Sequence, residues 1–310
     1  MRQAIAERRA GLVTYGITPP KKSFDEARRR DVAARQCERI AGLPVDGVVI
    51  YDLQDESTRT DAARPFPFME TVDSVEYGFD DLGALRLPKV VYRCVAPREL
   101  GELRAGLARV QAEGGLTVLV GAAARTQPAR TKLPEAYALC RDELPQLPLG
   151  GVAIAERHEA RGGEERRLLD KVAAGCSFFV SQAVYSPAAS KDLLSDLYYR
   201  CEETGRAVPP MLVTLSPCGS LKTLEFLRWL GISVPRWLEN ELLHAHDILQ
   251  TSIELCCEVF SDLLDFARAK DIPLGCNVES VSLKKEEIEA SVELVRRVAR
   301  LLGREVPPAA

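Results

Sequence analysis

The sequence predicts a single (β/α)8 barrel over residues 1–310, elaborated by an extra long helix before the last strand. Two observations carry that expectation. Short apolar, β-branched runs alternate with segments of helical period from end to end, and no internal repeat or low-complexity linker divides the chain. Eight such runs favour a closed barrel over an open sheet, because closure removes both exposed edges.

The strands are expected near 11–17 (GLVTYGI), 47–52 (GVVIYD), 88–95, 116–122, 150–156, 178–185, 210–216 and 273–280. Helical spacing fills the intervals 23–42, 97–113, 132–144, 163–174, 187–204, 220–230, 239–269 and 284–302. Ser23 followed by Glu26 reads as a capping box opening the first of these. The last, LKKEEIEASVELVRRVARLLG, places apolar residues at i, i+3, i+4 and i+7 and stops at Gly303. Residues 304–310 are expected to fray. Two connections exceed the short-loop norm: residues 53–86 after the second strand, and the segment before the last strand, whose long helix carries HAHD. On a barrel, long loops wall a ligand or close over it, and reacting groups sit where strands end.

Composition narrows the function classes. At 46% hydrophobic and 28% charged, 310 residues suffice for one large core, and the net charge of −4 leaves no basic footprint for nucleic acid or an anionic membrane. The Arg-rich first forty residues read as the wet face of a helix. No run approaches the ~18 apolar residues of a membrane span, and MRQAIAERRAG lacks the apolar core of a secretory signal, so a cytoplasmic protein is expected. The 9 cysteines show no CxxC pair and no zinc-type spacing, which reads as reduced, mostly buried thiols; Cys218, in a turn before a helix, is the one candidate reactive thiol. His244 and His246 lie two apart on a helix and point to different faces, so no metal site is expected.

The strand ends read YGITPPKKS, YDLQDES, YRC, GAAAR, AERHEA, SQAVYSP, LSPCGS and NVES. Gln182 ends a buried apolar strand. A buried amide is costly without a hydrogen-bond partner, and either a ligand or a neighbouring backbone group can supply one. Asp52, Asp55, Glu56, Glu156 and Glu279 are the carboxylates placed to reach a ligand at the rim. Each is read either as a helix cap or loop ion pair, or as a general acid if burial raises its pKa toward neutrality. His158 reads as part of a charged surface turn or as a phosphate partner.

Several of these segments together resemble the methylenetetrahydrofolate reductase family. The likeness is strongest from Val152 to Leu238, through ERHEA, KVAAG, FVSQ and ISVPRWL, and extends collinearly to YGITPPK. The resemblance implies a (β/α)8 barrel that binds FAD along the strand ends, takes a hydride from NAD(P)H and reduces 5,10-methylenetetrahydrofolate to the 5-methyl form. It matches Gln182 to a contact of substrate and nicotinamide, and His158, Glu164, Lys171, Tyr137 and Ala138 to flavin contacts. Tyr185 and Glu279 complete the expected substrate contacts.

Five positions depart from the family pattern. Gly16 stands where the family has its catalytic glutamate, Val120-Gly121-Ala122 replace R-G-D, and Ile154, about Val91 and about Ser220 replace three ligand-facing side chains. A glycine donates no proton, so acid duty would pass to Glu156, Asp52 or solvent, and the flavin contacts are eroded. The expectation is therefore a reductase-like oxidoreductase acting on a reduced folate. The alternatives are a non-redox folate- or pterin-dependent one-carbon enzyme, or a catalytically inactive folate-binding or regulatory homologue. A small-molecule substrate is the expected partner, and homo-oligomerisation is left open.

Overall fold

The computed structural model describes residues 1–56, 60, 62–122 and 128–306. Its parallel strands close in chain order into one barrel: β1 (Val13–Ile17), β2 (Gly47–Ile50), β3 (Lys89–Cys94), β4 (Leu116–Val120), β5 (Leu149–Ala153), β6 (Cys176–Ala183), β7 (Met211–Leu215) and β8 (Leu274–Glu279), with β8 pairing back onto β1. The helices are α1 (Arg2–Ala6), α2 (Glu26–Ala41), α3 (Ser74–Glu76) running into a π-helical turn (Tyr77–Asp81), α4 (Leu100–Ala112), α5 (Leu133–Glu143), α6 (Ala155–Arg161), α7 (Glu164–Ala173), α8 (Pro187–Glu203), α9 (Leu221–Trp229), α10 (Arg236–His244), α11 (Ile248–Arg268) and α12 (Lys285–Leu301). Among the described residues no helix is long and apolar enough to cross a membrane.

The near-continuous apolar character of the strands follows from burial on both faces. One parity, including Val13, Tyr15, Ile17, Val48, Ile50 and Val91, packs outward against the helices. The other, including Leu12, Val49, Val90, Leu116, Phe178 and Leu212, fills the barrel, and Ala4 and Ile5 of α1 join this inner cluster. Gly150 makes the inner packing possible, since a Cβ there would lie 2.5 Å from the Phe178 ring.

The structure corrects several local expectations. Ser23 and Glu26 form no capping box; α2 starts at Glu26 and its cap is Asp25, whose carboxylate accepts from the Arg28 N–H at 2.8 Å. The helix expected over 239–269 is two helices, because Asp247 caps a fresh start at Ile248, and α11 is the long helix that remains. The fifth strand stops at Ala153, and Ala155–Arg161 is helical. The helix α1 and the turn formed by α3 and Tyr77–Asp81 are too short to show a period. Gly303 ends α12 with a positive φ, as its position suggests, and residues 307–310 of the tail lie outside the described residues.

Ile5 is 3% exposed at the edge of the inner core. Ile5→Ala is expected to lower stability by about 2–5 kcal/mol through the cavity it leaves, read as a lower urea midpoint at unchanged slope.

Candidate functional site

The carboxyl end of the barrel is organised around an absence of side chain on β1. Gly16 is the register partner of Glu279 on β8. A Cβ on Gly16 would lie 2.8 Å from the Tyr51 ring and 3.0 Å from the Glu279 Cβ. The glycine thus leaves the space that the Tyr51 phenol and the Glu279 side chain occupy. Tyr51 follows β2, stands edge-on to Tyr92 with ring centroids 4.9 Å apart, and its hydroxyl accepts from Asn277 Nδ2 at 2.9 Å. Beneath it runs a buried polar belt. Thr14 Oγ1 donates to Asn277 Oδ1 at 2.9 Å, and Thr214 Oγ1 donates to the Ser181 carbonyl at 2.7 Å.

This setting decides the acid–base character of Glu279. Burial raises its carboxyl pKa to about 7, and the hydrogen bond from Tyr51 acts in the opposite direction. Burial also pushes the Tyr51 and Tyr92 phenols up, with the Glu279 charge adding to the rise. Glu279 itself is half-buried, at the carboxyl end of β8. A carboxyl balanced near neutrality can give or take a proton at physiological pH.

Over the mouth, the strand ends are tied to the segment joining α9 and α10. An extra residue in β6, where its register with β7 shifts between Val180 and Ala183, forms a bulge. Ser181 Oγ accepts there from the Thr214 N–H at 2.8 Å. Gln182 Nε2 donates to the Leu230 carbonyl at 2.7 Å. Glu156, in the first turn of α6, is raised by burial and accepts from the Ser233 N–H. The structure therefore brings Gln182 and Glu156 together on one covering segment. That cover meets the loop after β2: Phe226 and Trp229 stack at 6.0 Å, Phe66 approaches Phe226 at 5.2 Å, and Arg64 lies 5.2 Å from both the Phe226 and Trp229 centroids. Trp229 Nε1 donates to the Ala62 carbonyl at 3.0 Å. Tyr185 lies beneath, buried, its hydroxyl donated to the Ser216 carbonyl.

Other residues singled out from the sequence are engaged elsewhere. Both Asp52 oxygens are held by Arg98, at 2.6 and 3.2 Å, and Oδ2 also accepts from the Cys94 N–H. The pair continues to Asp73, which Arg93 and Arg98 bring to a pKa of about 2 against the upward push of burial. His158 lies between two carboxylates, Nδ1 at 3.4 Å from Glu165 and Nε2 at 3.3 Å from Asp196. Glu164 is buried against Arg157 at 3.0 Å, and Lys171 Nζ donates to the Val152 carbonyl at 2.6 Å. The Tyr137 hydroxyl sits beside the Cys176 thiol, with Ala138 next to it on α5. Carboxylates ring the one imidazole of this set, which is the wrong sign for a flavin phosphate. Cys218 is fully buried and burial pushes its thiol up to about 12, so the turn before α9 presents no reactive thiolate. Sequence reasoning missed Tyr51, Tyr92 and Asn277. The available signal was parity: Asn277 precedes Glu279 by two residues and shares its inward face.

No family model and no curated protein matches the chain. Among solved structures, the chain is similar to an uncharacterised protein from Clostridium thermocellum that binds two copies of 5-methyl-5,6,7,8-tetrahydrofolic acid, at 43% identity and a TM-score of 0.85 over 97% of this chain and 99% of that one. Two others overlay only loosely. A dihydropteroate synthase from Xanthomonas albilineans shares 15% identity over 93% of this chain and 92% of that one at a TM-score of 0.47. A tryptophan synthase from M. tuberculosis shares 12% over 98% and 97% at 0.49.

Asp52→Ala is expected to cost about 1–3 kcal/mol, because it removes the carboxylate that holds two nitrogens of Arg98 at a 12% exposed position and leaves the guanidinium to Asp73 and Glu102. Chemical denaturation reads that loss, and a variant as stable as the parent would contradict the structural role given to this carboxylate.

Proposed function

The chain belongs to the family of the Clostridium thermocellum protein, and from that premise we propose that it binds a reduced folate at the carboxyl-end mouth of its barrel and acts on the one-carbon unit that folate carries. The observation that carries the reading is 43% identity across 97% of the chain to a protein that binds 5-methyltetrahydrofolate. The chemistry of the mouth supports it. A reduced pterin is flat, with apolar faces and an edge of hydrogen-bonding nitrogens. The half-buried Tyr51, its ring packed edge-on against the buried Tyr92, supplies aromatic surface, while Glu279 and Gln182 supply polar groups at neighbouring heights on β8 and β6. The Leu230 carbonyl fixes the Gln182 amide, and a fixed amide loses little entropy when a ligand meets it.

The likeness to methylenetetrahydrofolate reductases favours reduction among the possible folate reactions. NAD(P)H gives a hydride to the methylene carbon of 5,10-methylenetetrahydrofolate, the carbon–N10 bond breaks with its electron pair left on N10, and a proton is added there. The residues matched to flavin contacts do not fit that cofactor, since His158 stands between the carboxylates of Glu165 and Asp196, Glu164 is paired with Arg157 and Lys171 donates to the Val152 carbonyl. We therefore assign hydride delivery directly to the nicotinamide and route no step through FAD. A non-redox one-carbon enzyme is the second reading, favoured by that same misfit.

Titration calorimetry with 5-methyltetrahydrofolate tests the binding, and consumption of NAD(P)H dependent on 5,10-methylenetetrahydrofolate tests the reductase form. Gln182→Ala is expected to keep the fold and weaken folate binding about tenfold, the ~1.4 kcal/mol of one hydrogen bond. Saturable binding without NAD(P)H consumption points to the non-redox reading, and no binding at all overturns both.

A further inference from the structure

We propose that Glu279 is the group that hands a proton to the bound folate, donating in its neutral form to the amine nitrogen that holds the one-carbon unit. The proposal rests on the folate reading above. N5 and N10 of a reduced folate carry lone pairs, and a one-carbon unit bonded to either leaves more readily when that nitrogen is protonated as the bond breaks. A mouth that works on such units therefore needs a proton source facing the ring.

The geometry singles out Glu279. It ends β8, level with Gly16 on β1, and the missing Cβ of Gly16 gives the carboxyl and the Tyr51 phenol their room. Tyr51 is held from below by Asn277, which is itself held by Thr14, so the phenol that contacts Glu279 is fixed by a buried polar chain. The titratable groups that feel the Glu279 charge are Tyr51 after β2, Tyr92 on β3 and Tyr185 after β6. All three are neutral phenols. Among the described residues no Lys or Arg is ion-paired with Glu279, whereas Asp52 is committed to Arg98 and Glu156 to the Ser233 N–H. Burial without a cation favours the neutral acid, which places its pKa at about 7.

In the step itself, the Glu279 carboxylic O–H breaks and its proton bonds to N10 as that nitrogen takes back the electron pair of its bond to the one-carbon unit, which stays on N5. The carbon receives the hydride of NAD(P)H in the reductase reading. The carboxylate that remains recovers a proton from solvent at the mouth.

The sign of the pH dependence follows. An amine lone pair selects the protonated carboxyl, so binding of 5-methyltetrahydrofolate should take up protons above neutrality and weaken by up to tenfold per pH unit above about pH 7. Calorimetric titration of 5-methyltetrahydrofolate, in buffers of different ionisation enthalpy between about pH 6 and about pH 8.5, counts those protons directly. Glu279→Gln is expected to bind with no proton uptake and a flat profile across that range. Tyr51→Phe keeps the carboxyl but removes the hydrogen bond that lowers it, so its uptake midpoint should move to higher pH. Wild-type proton uptake persisting in Glu279→Gln overturns the proposal, as does a Tyr51→Phe midpoint that stays put or falls. Affinity that declines on the acid side instead makes Glu279 an anionic acceptor and also overturns it. Each of those outcomes leaves folate binding intact. Failure of the wild-type protein to bind at any pH removes the folate reading itself.

Discussion

Closure of the barrel forces β1 and β8 into register, and the site follows from what stands at that seam. Two side chains on adjacent strands at the same height compete for one volume. Gly16 cedes it, and Glu279 with Tyr51 takes it. Any larger residue at position 16 would drive its Cβ into a ring or a neighbouring Cβ, and packed interiors absorb such overlap only by moving something. The position of the carboxyl, its contact with a phenol and its near-neutral pKa all depend on that vacancy.

The covering elements depend on the strand ends in turn. Gln182 and Glu156 each spend a polar group on the turn between α9 and α10, and the loop after β2 reaches the same turn through Ala62 and the rings of Phe66, Phe226 and Trp229. Gln54 Nε2 ties the start of that loop to the Gly121 carbonyl at 3.1 Å. Each of these bonds is worth about 1 kcal/mol net, so the cover is held by several modest contacts in place of one strong one. Such an arrangement can admit a flat ligand by exchanging a few contacts, because local opening needs only a part of the global stability.

Much of the fold was legible because closure after eight strands is written in the periodicity of the chain. The errors cluster where period gives no signal: α1 and α6 are short, and the break at Asp247 lies inside a run of uninterrupted helical spacing. The site was legible in part. Glu279 and Gln182 could be named from strand ends alone, since an inward polar residue at that depth needs a reason. Tyr51 and Asn277 could not be joined to them, because residues 16, 51 and 277 come together only through closure. Asp52 shows the same limit from the other side. Its place after β2 suggested chemistry, but Arg98, 46 residues further along, converts it to a structural anion.

Four acidic groups near one rim thus take different characters from their surroundings alone. Asp73 carries two arginines, and their charge outweighs burial and keeps it ionised far below neutrality. Asp52 shares one of those arginines and is held on both oxygens. Glu156 is buried yet receives a backbone N–H, which stabilises its anion in part. Glu279 has burial and one phenol, and a phenol stabilises a carboxylate far less than a guanidinium does, so burial prevails. With the glutamate that the reductase likeness expects on β1 absent, the carboxyl most able to exchange a proton at neutral pH stands one strand away. A barrel accommodates such a change of strand readily, because neighbouring strands present their inward residues to the same mouth.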